Sequence, residues 1–247
     1  MPQQETQAGL RILHWNVHGW QDAAGRPNVQ AVAELVRAIK PDAVSLVEVD
    51  EPWGLPSSLG DVARECGFSW VFGPSFEYGD GESGGGFGNA LLARVPVSAV
   101  QQWRVYAPSG GYDGSEPSEP RSVILARLGL NGTSFWLGST HFPRADAAAR
   151  QRAARRLQQL TARLDEPWLI CGDFNAPPAS CFGQRARIQV SPDPVQPTYP
   201  ANEPAEAIDY CLAVPGSTVS ATVLQSRESD HLPLLITVKT GQQRPAS

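Results

Sequence analysis

The chain has 247 residues, of which 41% are apolar and 18% charged, so it fits one large or two small globular domains rather than the disordered class. No segment approaches the ~20 apolar residues of a membrane span, and the N-terminus lacks the basic and apolar regions of a signal peptide. The net charge of −5 argues against a protein that holds DNA by its phosphate backbone, but it does not exclude nuclease chemistry, since metal-site carboxylates add to the negative total.

Cysteine usage indicates a reducing compartment. The four cysteines show no Cys-x-x-Cys spacing; they are Cys66, Cys171, Cys181 and Cys211. A zinc site or a disulfide framework is therefore not expected, and we expect a cytoplasmic protein whose Cys171 and Cys211 are small core residues. We further expect a monomer with loose tails at residues 1–9 and 241–247.

In chain order, the N-terminal half predicts strands around one helix. The first strand is predicted over residues 10–16. Apolar residues then recur at spacings of three and four, which predicts an amphipathic helix over residues 28–40, stopped by Pro41. The near-continuous apolar run at residues 43–49 is typical of a strand buried on both faces, and residues 89–93 predict a further strand.

The C-terminal half continues the pattern of buried strands. Strands are predicted over residues 122–130, 134–140, 168–171, 208–214, 219–224 and 234–239. The longest helix is predicted over residues 144–164, with Ala149, Ala153 and Leu157 on its inner face. Its arginines are expected to form a solvated face, and a basic partner-binding surface is the alternative.

Three long loops separate these elements: a glycine-rich segment at residues 74–88, a Gly/Ser/Pro-rich segment at 106–120 and a proline-rich segment at 177–204. The first lacks the lysine and the strand-loop-helix context of a phosphate-binding loop, so we predict a mobile surface loop. Long loops in a compact domain are often functional, so we expect these three to shape the substrate entrance.

Polar residues stand against one apolar strand after another, most of them at the carboxyl end. They are Asn16, Glu48, His141, Asp173 with Asn175, Asp209, and the pair Asp230 and His231. Residues i and i+2 of a strand point the same way, so Asp173 and Asn175 can face a common site where their strand ends. An acid beside an amide is what a protein needs to deprotonate a water molecule and hold it in place.

Each of these signals also has a purely structural explanation. The Gly-Asp-Phe-Asn and Asp-His segments suit tight turns. The glutamate is compatible with an ordinary strand-end charge, and the histidine and the aspartate within a strand are compatible with hydrogen-bonded core groups. What favours a shared site is the number and order of the signals, since all of them are polar groups placed against buried strands.

A shared site of this kind requires a cation. Four carboxylates buried together repel one another unless a bound ion neutralises them. The candidate ligands are mostly oxygens, which hard ions prefer, so we predict Mg²⁺, with Mn²⁺ as its close substitute. Zinc fits less well, because His141 and His231 are far apart in sequence and no His-x-x-x-His pattern occurs.

The chain resembles the endonuclease/exonuclease/phosphatase superfamily, which includes deoxyribonuclease I, in eight segments that follow the family order. These are Trp15-Asn16-Val17-His18-Gly19, Leu46-Val47-Glu48-Val49, Gly88-Asn89-Ala90-Leu91-Leu92, Glu119-Pro120-Arg121, Ser139-Thr140-His141-Phe142, Gly172-Asp173-Phe174-Asn175, Ile208-Asp209-Tyr210 and Ser229-Asp230-His231-Leu232-Pro233. Each segment is weak alone, but all eight in order extend over nearly the whole chain and make a strong match.

The resemblance implies a deoxyribonuclease I-like four-layer α/β sandwich, in which two packed mixed β-sheets are flanked by helices, over a single domain at residues 10–240. It also implies hydrolysis of a phosphodiester or phosphomonoester, with Mg²⁺ or Mn²⁺, by in-line attack of water. By similarity Glu48 is the main metal ligand, helped by Asn16 and Asp230. Asp173 would activate or orient the attacking water, and Asn175 would hold that water or a phosphate oxygen.

The resemblance also assigns roles to the histidines. Asp209 would pair with His231 and orient its imidazole, while His141 would bind the phosphate or help the leaving oxygen depart. The expected substrate contacts are Arg121, Asn89 and His18. For His18 a structural role is equally compatible with the sequence.

One departure from the family pattern bears on the substrate. Many members carry an arginine before Ile-Asp-Tyr, but this chain has Ala207 there, preceded by Glu206. With no recognisable basic stripe, this change disfavours stable binding of duplex DNA. We therefore expect a small or lipid-like phosphoester first, then single-stranded or damaged nucleic acid, then free nucleotides or sugar phosphates. A catalytically silent binding module on the same fold is the other alternative, but such a module would be expected to lose the metal glutamate or the histidines, which this chain keeps.

Overall fold

The computed structural model describes residues 9–54, 56–108, 110–115, 119–130, 133–144, 146–183 and 188–239. The two tails predicted from the sequence lie outside these ranges, apart from Gly9. No helix within the described ranges is long and apolar enough to cross a membrane.

Twelve strands in the described part of the chain form two six-stranded mixed sheets. In spatial order, the first sheet consists of β11 (Thr218–Val223), β12 (Leu234–Lys239), β1 (Leu10–Asn16), β2 (Ala43–Pro52), β4 (Gly85–Ala93) and β3 (Ser69–Tyr78). The second sheet consists of β5 (Val97–Tyr106), β6 (Arg121–Leu130), β7 (Thr133–His141), β8 (Trp168–Asp173), β10 (Asp209–Ala213) and β9 (Gln189–Ser191).

The helices connect the strands that run parallel. They are α1 (Val29–Ile39), α2 (Ser58–Cys66), α3 (Ala147–Thr161) and the short α4 (Pro178–Phe182). The helix α1 joins β1 to β2, and α3 joins β7 to β8, which are the parallel pairs of the two sheets. Parallel neighbours require a crossover of this kind, because a tight turn reverses the chain direction. Each sheet thus has one β-α-β unit near its centre, and its other strands pair in the antiparallel sense.

Apolar side chains fill three layers. The layer between the first sheet and the helices α1 and α2 includes Val32, Leu46 and Leu59. The layer between the second sheet and the helices α3 and α4 includes Ala153, Ile170 and Tyr210. The layer between the two sheets includes Ile12, Leu91, Leu137 and Ile236. The predicted four-layer α/β sandwich is therefore confirmed.

The layer between the sheets changes from apolar to polar along its length. At one end it is purely apolar, as at Ile12. The cysteine pair of β8 and β10 follows, with Cys171 Sγ 3.0 Å from Cys211 Sγ, and both are buried core residues as predicted. Further along, Ser139 Oγ donates to Leu46 O at 2.8 Å and so ties the two sheets together. Because inward positions alternate along each strand, the last inward residues of several strands meet at this polar end.

The glycine-rich segment at residues 74–88 is not a mobile loop, contrary to the sequence prediction. The strand β3 continues to Tyr78 and β4 begins at Gly85, so only residues 79–84 form the turn. A β-carbon on Gly88 would lie 2.3 Å from Gly73 O, so this glycine permits two backbones to approach closely. Composition alone did not distinguish a crowded hairpin from a flexible loop.

Five elements of the described ranges escaped prediction: α2, α4, β3, β5 and β9. The helix α2 is short and is defined by its caps. Ser57 Oγ accepts from Gly60 N at 2.8 Å, and Gly67 ends the helix with a φ of 72°. The strand β5 lies at the edge of its sheet and is mostly exposed, so it has no apolar run. The longest helix is shorter than expected, because Asp146 caps α3 at Ala148 N.

We predict that Gly88→Ala destabilises the protein by ~1–3 kcal/mol, the usual cost of forcing an extra carbon into a packed interior. The matched control is Gly129→Ala in β6, where a β-carbon would meet nothing closer than 3.9 Å. Urea denaturation of the two variants should show the loss only at position 88. Equal stability of both variants would contradict the close approach of β3 and β4.

Candidate active site

A cleft of about 430 Å³ opens at the polar end of the layer between the sheets. Most residues that were predicted from the sequence line it: His18, Glu48, Arg121, His141, Asp173, Asn175, Asp230 and His231. Asn16 and Asp209 are buried directly behind this lining, where they contact Glu48, Asp173 and His231. Asn89 lies deeper.

Strand register brings the polar residues together. In the second sheet His141 lies opposite Asp173 across the parallel pair, and Asp209 lies opposite Asp173 on the other side. In the first sheet Asn16 ends β1 beside Val47 of β2. Asp173 is therefore flanked by a histidine and a second aspartate and faces the carboxyl ends of β1 and β2.

Glu48 reaches the cleft because β2 bulges. The pairing of β2 with β4 shifts register between Leu46 and Val49, so two residues of β2 oppose the single residue Asn89. Glu48 itself has a φ of 55°, and Asn175 on the far side of the cleft has a φ of 52°. A left-handed backbone at a residue with a side chain costs ~1 kcal/mol or more, and such strain concentrates at functional sites.

The Asn16 amide holds two carboxylates in place. Its Nδ2 donates to Glu48 Oε1 at 3.0 Å and to Asp173 Oδ2 at 3.1 Å, while its Oδ1 accepts from His18 N at 3.0 Å. In this arrangement the amide nitrogen, rather than the oxygen, faces the carboxylates. Asn16 thus fixes the distance between Glu48 and Asp173, and its role as a direct metal ligand stays a prediction.

Asp173 is suited to accept a proton near neutral pH. Its Oδ1 accepts from Asn175 N at 2.9 Å, whereas its Oδ2 lies 3.5 Å from His141 Nε2 and 3.6 Å from His231 Nε2. Burial, followed by the negative charge of Asp209, raises the pKa of Asp173 to about 7. A carboxylate with such a pKa can act as a base in water at physiological pH.

His231 is held in its charged form by the acids around it. Its Nδ1–H donates to Asp209 Oδ2 at 2.8 Å, and Thr198 Oγ1 donates to the same oxygen at 2.5 Å. Burial opposes the charge, but Asp209 and Asp173 outweigh it and raise the pKa of His231 to about 10. Burial likewise opposes the charge of Asp209, but the charge of His231 lowers the pKa of Asp209 below its ordinary value. The pair is therefore an imidazolium and a carboxylate at neutral pH.

His141 is held in its neutral form. Arg121 Nη1 donates to His141 Nδ1 at 3.0 Å, and Asn175 Nδ2 lies 2.9 Å from His141 Nε2. Burial and the positive charge of Arg121 hold the pKa of His141 well below its usual range. Arg121 also forms an ion pair with Glu119 at 2.8 Å, and Asn175 Nδ2 donates to Phe142 O at 2.9 Å beside the same ring.

Potential metal ligands form two overlapping groups among the described residues. In each group the ligand atoms lie within 4.8 Å of one another; the groups are Glu48, His141 and Asp173, and Asp173, Asp209 and His231. Asp230 belongs to neither group; its Oδ1 lies 3.4 Å from His18 Nδ1, and both residues line the cleft. Its role as a ligand stays a prediction.

Asn89 is placed below the cleft rather than on its surface. It is buried in β4, and its Nδ2 donates to Ser122 O at 3.0 Å, next to Arg121 in β6. This hydrogen bond connects β4 to the strand that carries Arg121. Position 89 lies opposite the bulge of β2, and the contact of Asn89 with substrate stays a prediction.

Sequence reasoning missed several residues of the lining, among them Phe87, Glu119, Arg144, Arg150 and Tyr199. Arg150, which was expected on a solvated helix face, lies in the first turn of α3 and donates to Pro143 O at 3.3 Å. The ring of Tyr199 lies 4.7 Å from that of His231. Glu119 and Tyr199 come from the segments at residues 106–120 and 177–204, whose unusual length was the available signal.

Comparisons with known proteins agree with this geometry. The family model described as "Endonuclease/Exonuclease/phosphatase family" matches residues 13–231. No curated protein matches the sequence. A solved family member from Bacteroides thetaiotaomicron has a TM-score of 0.75 at 17% identity, covering 93% of this chain and 97% of its own.

Two further solved structures have named activities or ligands. The mannosyl-6-phosphatase Bt3783 of Bacteroides thetaiotaomicron has a TM-score of 0.72 at 18% identity, covering 93% of this chain and 99% of its own. The human Nocturnin catalytic domain with a bound sulfate anion has a TM-score of 0.69 at 19% identity, covering 94% of each chain. At these identities the likeness demonstrates a shared fold.

We predict that Asp209→Asn destabilises the metal-free protein by about 3 kcal/mol at neutral pH, because it leaves the buried His231 without its carboxylate. The imidazolium of the folded wild type stabilises it fully below pH 6.5 and loses this effect as the pH rises through about 10, so the deficit of the variant should shrink at high pH. Urea denaturation in EDTA, at pH values below 6.5 and above about 10, measures this stability deficit.

The control for this experiment is the exposed Asp165→Asn, which should show no such pH dependence. A deficit of Asp209→Asn that stays constant across the same pH range would contradict the charged pair.

Proposed function

The chain belongs to the endonuclease/exonuclease/phosphatase family, and we propose that it hydrolyses a phosphoester with Mg²⁺ or Mn²⁺. Members of this family are hydrolases that act on phosphoester bonds. The observation that carries the proposal is the convergence of two ligand groups on Asp173, with Glu48 and His141 on one side and Asp209 and His231 on the other. The proposed base, the proposed acid and the proposed cation site would thereby share one cleft.

The donor set fits a hard divalent cation. Glu48 and Asp173 direct carboxylate oxygens at one another with only the Asn16 amide between them. Glu48 is the proposed main ligand, and Asn16 and Asp230 are the proposed further ligands. When bound, such a cation stabilises negative charge on the phosphoryl oxygens.

The residues of the chain itself would activate the water. Asn175 N fixes Oδ1 of Asp173, and Oδ2, which also accepts from Asn16, would take the proton from the attacking water. The Asn175 side chain, at the edge of the cleft, would hold that water or a phosphate oxygen. These two proposed roles would account for an acid at position 173 and an amide two residues later, where the strand ends.

The histidines would act on the phosphate and on the leaving oxygen. His231 is charged, so it can stabilise or protonate the departing oxygen, and Asp209 keeps its Nε2 directed at the cleft. His141 is neutral and lines the same region, with Arg121 behind it as a positively charged donor. Positioned donors of this kind stabilise charge as it develops in the transition state.

The cleft favours a substrate of modest size. Its volume of about 430 Å³ is in the range of sites for small molecules. Arginines 121, 144 and 150 line it together with five acids, so it offers no continuous basic track for a duplex. A small or lipid-like phosphoester is therefore our first choice.

A nuclease acting on single-stranded or damaged nucleic acid is the second candidate. Phe87 lines the cleft, and its ring stacks at 5.5 Å on Phe76, which lies 4.4 Å from Tyr112. Aromatic rings beside a phosphate site can stack on unpaired bases. This candidate predicts competition by short oligonucleotides, which a site for small phosphoesters would not show.

We predict metal-dependent hydrolysis of bis-p-nitrophenyl phosphate, p-nitrophenyl phosphate or both, with Mg²⁺ or Mn²⁺, and its loss in EDTA. Cleavage of the diester alone would identify a phosphodiesterase, and cleavage of the monoester would identify a phosphatase. The absence of metal-dependent cleavage, together with no binding of Mg²⁺ or Mn²⁺ by calorimetry, would contradict the proposal and leave a silent binding module.

We predict that Glu48→Gln weakens metal binding and lowers kcat/KM by ~10²-fold or more, because an amide cannot replace the charge of the ligand. Calorimetric titration with Mn²⁺ and steady-state kinetics measure the two effects. Glu34→Gln, on the exposed face of α1, serves as the control and should leave both unchanged. Wild-type turnover of Glu48→Gln at low Mg²⁺ would show that the ligand assignment is wrong.

A further inference from the structure

His14 is a buried histidine whose imidazole lies behind the pair formed by Asp209 and His231. It lies two residues before Asn16 on the inward face of β1 and is 1% exposed. Its Nδ1 is 3.0 Å from Ser45 Oγ, directly opposite in β2. Its Nε2 points across the layer between the sheets and lies 3.8 Å from Asp209 Oδ1.

The two facing atoms lack other partners. Neither His14 Nε2 nor Asp209 Oδ1 has a hydrogen-bond partner among the described residues, and both are buried. A buried polar atom without a partner is costly, so two such atoms that face one another indicate a paired arrangement. A shift of about 0.8 Å would bring them from 3.8 Å to an ordinary hydrogen-bond distance of ~3.0 Å.

The hydrogen positions suit such a pair. The Ser45 hydroxyl can donate to Nδ1 of His14, which places the ring hydrogen on Nε2, toward Asp209. The other oxygen of Asp209 is already occupied, because Oδ2 accepts from His231 and from Thr198. A donor at Oδ1 would therefore hold the carboxylate at both ends and prevent its rotation away from His231.

We propose that His14 is a positioning residue that fixes Asp209, and through Asp209 the imidazole of His231, for hydrolysis of the phosphoester. The proposal rests on the proposed function, since it assigns His14 a part in that reaction. His14 is not among the residues that line the cleft, so its effect on the reaction would pass through Asp209. His14 and His231 thus lie on either side of Asp209, and this row of three side chains connects the two sheets.

The test compares His14→Ala with the conservative His14→Gln, whose side-chain amide can still donate toward Asp209. We expect His14→Ala to lower kcat for bis-p-nitrophenyl phosphate by about 10-fold, with KM and Mn²⁺ affinity unchanged, as is usual when a residue that orients a catalytic group is lost. His14→Gln should recover at least part of this loss. The matched control is Ile12→Ala, which leaves a cavity in the same layer without removing a polar group.

A second measurement does not depend on turnover. In the metal-free protein, the Nδ1–H of His231 should give a low-field proton resonance in ¹⁵N-histidine-labelled NMR spectra, because it donates to Asp209. In His14→Ala this resonance should broaden or move upfield, whereas in Ile12→Ala it should stay unchanged. If His14→Ala does not fold, the comparison is made with His14→Gln and with Ser45→Ala, which should move the same resonance by a smaller amount.

The outcomes separate this proposal from the proposed function. An inactive wild type whose His231 resonance responds to His14→Ala would contradict the function and retain the positioning role. An active wild type whose kcat and His231 resonance are both unchanged in His14→Ala would overturn the positioning role alone. An equal fall in kcat for His14→Ala and Ile12→Ala would likewise overturn it, because the loss would then be structural.

Discussion

Mutual repulsion of the carboxylates on Glu48, Asp173 and Asp209 organises the end of the sandwich where the two sheets meet. Separated from water, these groups would not all stay charged without compensation. The protein compensates these negative charges through two kinds of interaction. An amide spaces the first two carboxylates, and an imidazolium neutralises the third. What remains uncompensated lies at Glu48 and Asp173, where the proposed cation would bind, so the apparent excess of negative charge forms part of the site.

The topology explains why these groups meet. Each sheet has a parallel pair joined by a helix, and the carboxyl ends of both pairs point at the same cleft. The antiparallel strand β10 then carries Asp209 against β8 from the opposite direction. Residues from both sheets thus contribute to one site, and a shift of the sheets relative to one another would separate the proposed acid from the proposed base. Cross-sheet contacts such as Ser139 Oγ to Leu46 O bear directly on the chemistry for this reason.

Sequence patterns predicted much of this architecture, because strand-end polar residues such as Asn16, Glu48 and Asp173 interrupt apolar runs and therefore stand out. The same reasoning did not extend to relations between the sheets. Periodicity indicates that His14 faces inward, but not that an aspartate from the other sheet faces it. Arg150 was misjudged for a similar reason, since its helix position is compatible with solvent until the neighbouring loop is placed beside it. The glycine-rich composition at β3 and β4 led to the wrong prediction of a mobile loop. Glycine is favoured both where two backbones are crowded and where a loop is flexible.

The left-handed backbones at Glu48 and Asn175 have a consequence for how this chain evolves. Glycine would relieve the strain at either position, so selection for folding alone would favour its accumulation there. An acid and an amide at these positions therefore cost stability that the proposed reaction would justify. A duplicated copy under selection for folding alone should acquire glycine at these two positions early.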